Sequence, residues 1–328
     1  MSINEEQSPG PVLLVTSKSD LSADLLVTTL RKRSVPFVRF NMEDFPLRYR
    51  LSWTPDSQDH SLVVGHQEWP LSVFRSAWYR RMAPPTVPPH TADDGVRDFV
   101  AHEITAFLEG IWETTHWLWL NRPSAVRRAE NKLLQLALAK RCRFSIPRTL
   151  VTNDAGAARR FLAEADRSIV KSIAGSAVDV DGKRAVLFTH SVTEMDIPSD
   201  SAIQLSPCIF QHRIPKVSDI RVTLIGSEIF AAEILTQEMT TEDTDWRSVA
   251  PDRLSYATHV LPRTIADTCR RYLNELGLVY GCFDFLLIPG GEYVFLELNP
   301  SGQWGWIEHE TRAPITEANV QTLTLGYS

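Results

Sequence analysis

The chain has 328 residues, of which 43% are hydrophobic and 23% charged, as expected for a globular protein of two or three domains. A formal charge of −6 gives no general electrostatic case for binding nucleic acid or an anionic membrane. Four cysteines without paired spacing argue against a disulfide framework, and the acidic, polar N-terminus argues against a signal peptide. We therefore expect a cytoplasmic protein with no nucleic-acid or membrane partner.

The first 120 residues have the pattern of a small α/β unit. An apolar run, a helical pattern at Ser19–Arg33 and a second apolar run indicate strand–helix–strand order. A proline-rich segment, residues 83–90, precedes the amphipathic pattern of a long helix at Asp93–Leu120. The sequence NRPS, residues 121–124, breaks that pattern and is the predicted first domain boundary. The predicted strands are Pro11–Ser17, Val35–Phe40, Leu51–Trp53, Leu62–Val64 and Val73–Tyr79.

The rest of the chain alternates helices with hairpins. Gly226-Ser227 indicates a two-residue hairpin loop, which would place Asp219, Arg221 and Thr223 on one face of a strand. The other predicted elements are a helix at Ala125–Arg141, a helix capped by Asn153-Asp154 and running to about Ala165, a strand at Ile169–Ile173, a hairpin around Gly182, a strand at Cys208–Gln211, a helix at Arg263–Leu276 ended by Gly277, and a helix from about Pro314.

The most informative segment is Tyr280–Asn299, where two runs rich in aromatic and branched residues flank a Gly-Gly pair, a hairpin signal. With a two-residue loop at Gly290-Gly291, Asp284 faces Glu297 across the ladder and Asn299 projects from the same face. Opposed carboxylates repel unless a cation lies between them, and these oxygen ligands suit magnesium with bound phosphate. The alternative is a solvated face with incidental acids. The other residues predicted on this face are Cys282, Leu286 and Phe295.

Phosphate-binding groups must come from separate places, since the chain has neither a P-loop nor a dinucleotide glycine fingerprint. Lys132 lies early in a helix. Lys171 lies in an apolar strand, where a lysine needs a partner or a ligand unless it faces solvent at a strand edge. The turn that contains Ser176 could offer backbone N–H groups to phosphate. Arg221 and Arg247 have the planar fork that suits phosphoryl oxygens, although each alone reads as a salt-bridge residue.

The order of these residues along the chain resembles that of the ATP-grasp ligases. It is most similar to the graspetide synthetases, which include the microviridin ring-forming enzymes and are related to the ribosomal-protein glutamate ligases. The resemblance covers most of the chain after residue 75, whereas residues 11–75 resemble the family's N-terminal domain only in pattern. The strings that carry it are SAWYRRMAPP, NRPSAVRRAENKLLQLALA, IPRTLVTND, IFQHRIPKVSDIRVTLIG, DWR and FLELNPSGQWGWIE.

The resemblance implies an α/β N-terminal pre-ATP-grasp domain, residues 1–122, followed by an α+β ATP-grasp fold of two subdomains, residues 123–207 and 208–328. ATP would lie between the subdomains. The sequence HR at residues 212–213 departs from the acidic-aromatic pair common at this linker in the glutamate ligases. The implied site residues are Lys132, Lys171 and Ser176 for phosphate, Gln211, His212, Arg213 and Ile214 for adenine, Asp219 near the nucleotide, Asp284, Glu297 and Asn299 for one or two Mg²⁺ ions, and Arg221 and Arg247 for catalysis.

The implied reaction activates Asp or Glu side chains of a ribosomal precursor peptide as acyl phosphates and closes ester or amide macrocycles. The implied partners are that peptide, with its leader and core, and a second copy of the chain in a homodimer. The leader could bind the hairpin near Lys183 or the helix at Arg159–Ala165, although a solvated charged face explains both equally well. Two alternatives remain open, namely an intermolecular amino-acid or peptide ligase and an ATP-binding module without turnover.

Overall fold

A computed structural model describes residues 10–56, 60–80, 85–87, 93–174, 177–180, 183–186, 190–196, 199–236 and 246–326. The N-terminal part contains a parallel sheet of order β2-β1-β6-β7 and an antiparallel sheet of order β3-β4-β5. The elements are β1 (Val12–Thr16), α1 (Leu21–Lys32), β2 (Phe37–Asn41), β3 (Tyr49–Ser52), β4 (Ser61–Val64), β5 (Gln67–Pro70), β6 (Ser76–Tyr79), α2 (Asp94–Thr114) and β7 (Leu118–Leu120).

The parallel sheet is covered on both faces, which explains why β1 is apolar at nearly every position. Val12 and Leu14 pack toward α1 and the C-terminal helix of the chain, whereas Leu13 and Val15 pack toward α2. The long helix predicted at Asp93–Leu120 is wrong in its last turn, because α2 ends at Thr114. Trp119 then lies between two leucines in β7, which pairs with β6.

The middle of the chain forms a mixed set of helices around an antiparallel sheet of order β12-β9-β13-β8. The helix predicted at Ala125–Arg141 is two helices, because Asn131 has extended backbone and its side chain accepts a hydrogen bond from the N–H of Leu134. The elements are α3 (Pro123–Glu130), α4 (Lys132–Arg141), β8 (Thr149–Thr152), α5 (Ala155–Leu162), β9 (Ser168–Lys171), β10 (Ala177–Val180), β11 (Lys183–Val186), β12 (His190–Val192), α6 (Asp200–Leu205) and β13 (Cys208–His212).

The C-terminal part is built on an antiparallel sheet of order β16-β15-β14-β17-β18. Its buried face packs phenylalanines 283, 285 and 295 against α7, and its other face carries Arg221, Asp284 and Glu297. The elements are β14 (Ser218–Ile225), β15 (Glu228–Thr236), β16 (Leu254–Thr258), α7 (Arg263–Leu276), β17 (Tyr280–Leu287), β18 (Tyr293–Asn299), α8 (Gly305–Thr311) and α9 (Ile315–Leu325). Within the described ranges, no helix is both long and apolar enough to cross a membrane.

The hairpin of β17 and β18 has the predicted pairing of Asp284 with Glu297 but a different turn. The N–H of Ile288 donates to the carbonyl of Glu292, so the loop has three residues, 289–291, rather than two. A bulge after Asp284 shifts the register by one residue, so residues 282–284, on the side of the bulge away from the turn, pair as predicted. Because the register shifts there, Phe295 pairs with Phe285 in the core, and its predicted place on the face of Asp284 is wrong.

Candidate functional site

A cavity of about 810 Å³ lies between the two antiparallel sheets of the C-terminal two thirds of the chain. The C-terminal sheet contributes side chains from β14, β17 and β18, and the middle sheet contributes β9 and the segment that follows β13. The volume is in the range of pockets that bind cofactors. Of the predicted site residues, Lys171, His212, Arg213, Ile214, Asp219, Arg247, Asp284 and Glu297 line this cavity.

The two opposed carboxylates are held by cations of the chain itself. Both Oδ atoms of Asp284 accept from Nη1 of Arg221 at 2.8 Å, in the register that pairs β14 with β17. Nη2 of Arg247 donates to Oδ2 of Asp284 at 2.9 Å and to Oε1 of Glu297 at 3.0 Å. Charge-assisted bonds of this kind are the strong ones, so the carboxylates are fixed before any ligand binds.

Lys132 reaches the same cluster from the first turn of α4. Its Nζ lies 2.5 Å from Oε2 of Glu297, a contact between residues 165 positions apart in the chain. Burial alone would raise the pKa of Glu297, but the positive charges of Lys132, Arg247 and Lys171 hold that pKa well below its usual range. Glu297 is therefore an anion at neutral pH.

Arg221 lies behind Asp284 rather than on the cavity wall. Burial alone would lower its pKa, but the contact with Asp284 outweighs burial and raises the pKa of the guanidinium. The side chain is 5% exposed and does not line the cavity, so Asp284 separates Arg221 from any molecule bound there. Its Nη2 also donates to the carbonyl of Gln303 at 3.5 Å, in the loop after β18.

Like Lys132, the predicted residues Gln211 and Asn299 are not among those that line the cavity. Gln211 is buried and its Nε2 donates to Oγ1 of Thr149 on β8. Asn299 follows Glu297 on the same face, and its Oδ1 accepts from the N–H of Ser301 at 3.0 Å. Ser176 lies outside the described residues.

The oxygen atoms at this end of the cavity fit a hard divalent cation. Asp284 and Glu297 each have acceptor positions beyond those used by arginine and lysine, and Oδ1 of Asn299 keeps one lone pair. Within the part of the chain that the structure describes, no group of three or more His, Cys, Asp and Glu side chains is placed to hold a metal. A metal here would therefore use two carboxylates and an amide.

Sequence reasoning missed several residues of the cavity. Lys216 is almost buried and its Nζ lies 2.5 Å from Oδ2 of Asp219. The signal was available in the i, i+3 spacing of PKVSD, just before the strand that carries Arg221. Trp246 also lines the cavity, with Arg247 over its ring at 5.5 Å. The remaining wall residues that sequence reasoning did not assign are Pro147, Glu164, Ala165, Asp166, Arg167, Ile169, Pro215, Leu286 and Leu296.

Comparison with known proteins finds similarity to the N-terminal domain and to nearly the whole chain. Residues 11–127 match the family described as the MvdD pre-ATP grasp domain. The macrocyclase MdnC of Microcystis aeruginosa MRC, solved with precursor peptide MdnA, is 28% identical with a TM-score of 0.85, over 95% of this chain and 98% of that one. A RiPP-associated ATP-grasp ligase of Chryseobacterium gregarium, solved with ADP and a leader and core peptide, is 27% identical with a TM-score of 0.86, over 96% of each chain.

A curated relative matches a shorter region. Glutathione synthetase of Thermosynechococcus vestitus is 27% identical over 178 residues, which cover 52% of this chain and 48% of the relative. The matched region thus spans about half the length of that curated relative. The predicted fold class, a pre-ATP-grasp domain followed by an α+β ATP-grasp fold, is confirmed by the structural likeness over nearly the whole chain. The chain therefore carries a pre-ATP-grasp domain of the MvdD type at its N-terminus, and over nearly its whole length it is similar to the graspetide synthetases, as the sequence motifs predict.

Proposed function

We propose that this protein is an ATP-dependent carboxylate ligase that closes macrocycles in a ribosomal precursor peptide. It would join an Asp or Glu side chain to a Thr or Ser hydroxyl as an ester, or to a Lys amine as an amide. The observation that carries the proposal is the opposed pair Asp284 and Glu297, ringed by Arg221, Arg247 and Lys132 at one end of a large cavity. The whole-chain likeness to a macrocyclase bound with its precursor peptide supports it.

The proposed reaction has two steps, phosphorylation of a carboxylate and attack on the acyl phosphate. A substrate carboxylate oxygen attacks the γ-phosphorus of ATP, giving an acyl phosphate and ADP. The hydroxyl or amine then attacks the acyl carbon, the carbon–oxygen bond to phosphate breaks, and the nucleophile's proton leaves with inorganic phosphate or to solvent. Each ring therefore removes one water from the peptide, and ATP becomes ADP and phosphate.

In this proposal the chain's own cations neutralise the charge that builds up during phosphoryl transfer. Arg247 is 41% exposed and borders the cavity, so it can turn from the carboxylates toward a phosphoryl group. Lys171 lines the same cavity and would bind phosphate. The adenine would contact the segment of His212, Arg213 and Ile214, which begins at the last residue of β13. Ser176 and Gln211 stay predicted nucleotide contacts.

Asp284, Glu297 and Asn299 would hold one or two Mg²⁺ ions. A metal held there would supply positive charge to the phosphate oxygens during transfer of the γ-phosphoryl group. Asp219, which forms a local ion pair with Lys216 and lines the cavity with it, would lie near the nucleotide. We also propose that the domain boundaries fall near residues 122 and 207, although β13 (Cys208–His212) hydrogen-bonds within the middle sheet.

We further propose that the protein works in the cytoplasm as a homodimer and binds the leader of its precursor. Two candidate leader surfaces are the hairpin of β10 and β11 and the helix α5. Arg159 on α5 is engaged with Asp200 of α6 at 2.8 Å, so an acidic leader would have to compete with that carboxylate. Truncating the leader should weaken peptide binding without changing nucleotide binding.

A direct test mixes the protein with ATP, Mg²⁺ and the peptide encoded beside its gene. We expect mass spectrometry to show loss of one water per ring and release of one ADP per water lost. Tandem fragmentation would locate each link between an acidic and a hydroxyl or amine side chain. An unchanged peptide mass, with addition of a free amino acid in its place, would contradict the macrocyclase proposal.

The second candidate is an intermolecular ligase that joins an amino acid or peptide to an acceptor. Its support is the match to a glutathione synthetase, which covers about half of that relative. The two candidates share the nucleotide site, so substitutions there do not separate them. The mass test does, because intermolecular ligation adds the mass of the second reactant less one water.

A further inference from the structure

Arg80 is a buried arginine of the N-terminal domain that reaches into the C-terminal half of the chain. It follows β6 and is 1% exposed. Its Nε donates to Oδ2 of Asp20 at 2.8 Å, and its Nη1 donates to the carbonyl of Gly302 at 2.6 Å. The guanidinium also lies over the rings of Trp78 and Trp304, at 5.4 and 4.8 Å from their centroids. One side chain thus joins two strand-end segments that are 222 residues apart.

The position of Arg80 is where an open parallel sheet usually binds a ligand. β1 has β2 on one side and β6 on the other, and all four strands of the sheet are parallel. Ligands of such sheets bind outside the carboxyl ends of the strands, where the strand order reverses. Here that crevice holds Asp20, Arg80 and the loop of residues 300–303, which follows β18.

The same loop is held at a second point by the end of β7. Asn121 donates from Nδ2 to the carbonyls of Tyr280 and Pro300, at 2.8 and 3.0 Å. Its Oδ1 accepts from the N–H groups of Val279 and Tyr280, at 2.9 and 3.0 Å. Both donors and both acceptor positions of this amide are used. The start of β17 and the loop after β18 are therefore tied to one residue of the N-terminal domain.

The loop 300–303 in turn fixes two residues of the candidate site. The N–H of Ser301 donates to Oδ1 of Asn299, and the N–H of Gly302 donates to the carbonyl of Asn299 at 3.3 Å. The carbonyl of Gln303 accepts from Arg221, which holds Asp284. A shift of this loop would therefore turn the amide of Asn299 and move the guanidinium behind Asp284.

We propose that Arg80, anchored by Asp20, is a positioning residue that sets the loop 300–303 and through it Asn299 and Arg221. The inference rests on the proposed function in one respect, because it supposes that Asn299 and Arg221 serve metal-dependent nucleotide binding. Arginine is required because its fork bonds Asp20 and Gly302 at the same time. Lysine in this place keeps the buried ion pair with Asp20 but loses the fixed second donor.

The first test needs no ligand. Arg80→Lys and Tyr280→Phe each remove a donor to the carbonyl of Gly302, and neither changes the net charge of the chain. We expect backbone amide exchange of the segment 299–304 to become about tenfold faster in both. The matched control is Asp44→Asn, which breaks the Lys18–Asp44 ion pair of the same domain away from this loop and should leave the segment within twofold.

The second test measures binding of Mg²⁺·ADP by calorimetry. We expect Arg80→Lys to weaken binding of the Mg²⁺ complex about tenfold while ADP without metal binds within twofold of the wild type. Unchanged exchange of segment 299–304 in folded Arg80→Lys and Tyr280→Phe proteins would overturn the inference. Should Arg80→Lys not fold, Asp20→Asn, which weakens the anchor of Arg80, takes its place in the exchange measurement, and unchanged exchange there would overturn the inference. Failure of the wild-type protein to bind Mg²⁺·ADP would contradict the proposed function. The amide-exchange measurement would still test the positioning role of Arg80, because it needs no ligand.

Discussion

Asp284 and Glu297 share one cation, because Nη2 of Arg247 lies 2.9 Å from Oδ2 of Asp284 and 3.0 Å from Oε1 of Glu297. Opposed carboxylates on a β-ladder repel each other, and the chain removes that repulsion with a guanidinium that is 41% exposed. A metal ion that binds the same oxygens would compete with Arg247 for them. Release of Arg247 toward the cavity would accompany metal binding.

Replacing Arg247 by Ala should separate metal binding from turnover. Loss of one competing charge at the carboxylates, worth about 1 kcal/mol, should tighten Mg²⁺ binding by the nucleotide-free protein three- to tenfold. Loss of a donor to the transferring phosphoryl group should lower kcat by about 10²- to 10³-fold. Calorimetry and a coupled ADP assay measure the two effects. Arg263→Ala, a highly exposed arginine at the start of α7, is the control, and weaker metal binding by Arg247→Ala would contradict the competition.

Replacing Glu297 by Ala should abolish ADP release with the precursor peptide. The substitution removes one of two carboxylates that would hold the metal and leaves Lys132 without its 2.5 Å partner. Glu292→Ala is the matched control, since that residue is exposed at the turn of the same hairpin. A rate within twofold of the wild type for Glu297→Ala would exclude Glu297 as a metal ligand.

Strand periodicity in the sequence was sufficient to predict which candidate residues share a face and which residues pair across the ladder. Alternation placed Asp219, Arg221 and Thr223 on one face, and the pairing of Asp284 with Glu297 followed from the hairpin. The turn itself was predicted wrongly, because the three-residue loop and the bulge compensate each other and neither leaves a separate sequence signal. The same register shift moved Phe295 to the core.

Contacts between distant segments could not be predicted from the sequence. The salt bridge of Lys216 with Asp219 is local and its spacing was readable, whereas the bond of Arg80 to Gly302 joins two domains. Helix ends were also missed where tertiary packing overrode periodicity, as at Thr114, after which the chain enters β7. The cations around Glu297 come from three separate elements, and chain order alone gave no distances between them.

Replacing Gly302 by Ala should disturb Arg221 without touching the cavity wall. A Cβ atom built at Gly302 would lie 2.5 Å from Cβ of Cys282 and 2.6 Å from Nη2 of Arg221. Overpacking of this kind costs about 1–3 kcal/mol of unfolding free energy, and we expect kcat to fall with it. The control is Gly110→Ala on α2, where the added methyl meets nothing within 4 Å and should stabilise the helix by about 0.5–1 kcal/mol. Urea denaturation and the ADP assay check both, and an unchanged kcat in Gly302→Ala would contradict the role of this loop.

Asp44 provides a pH test of stability away from the candidate site. Burial alone would raise its pKa, but the hydrogen bond and charge of Lys18, together with Arg48, lower the pKa below its usual value. A carboxylate with a lowered folded-state pKa stabilises the fold above its unfolded pKa of about 3.9, and the contribution is lost as pH falls through the folded pKa. Lys18 is about half exposed, so the contribution is about 1 kcal/mol.

Asp44→Asn should therefore lower the unfolding free energy by about 1 kcal/mol at pH 7, and the difference from the wild type should shrink as pH falls below about 4. Urea denaturation at pH values between 7 and 3 measures this difference. Asp98→Asn, an exposed position on α2, is the control and should match the wild type throughout. A difference that stays constant or grows toward low pH would show that Asp44 stabilises the fold by packing rather than by its ion pair with Lys18.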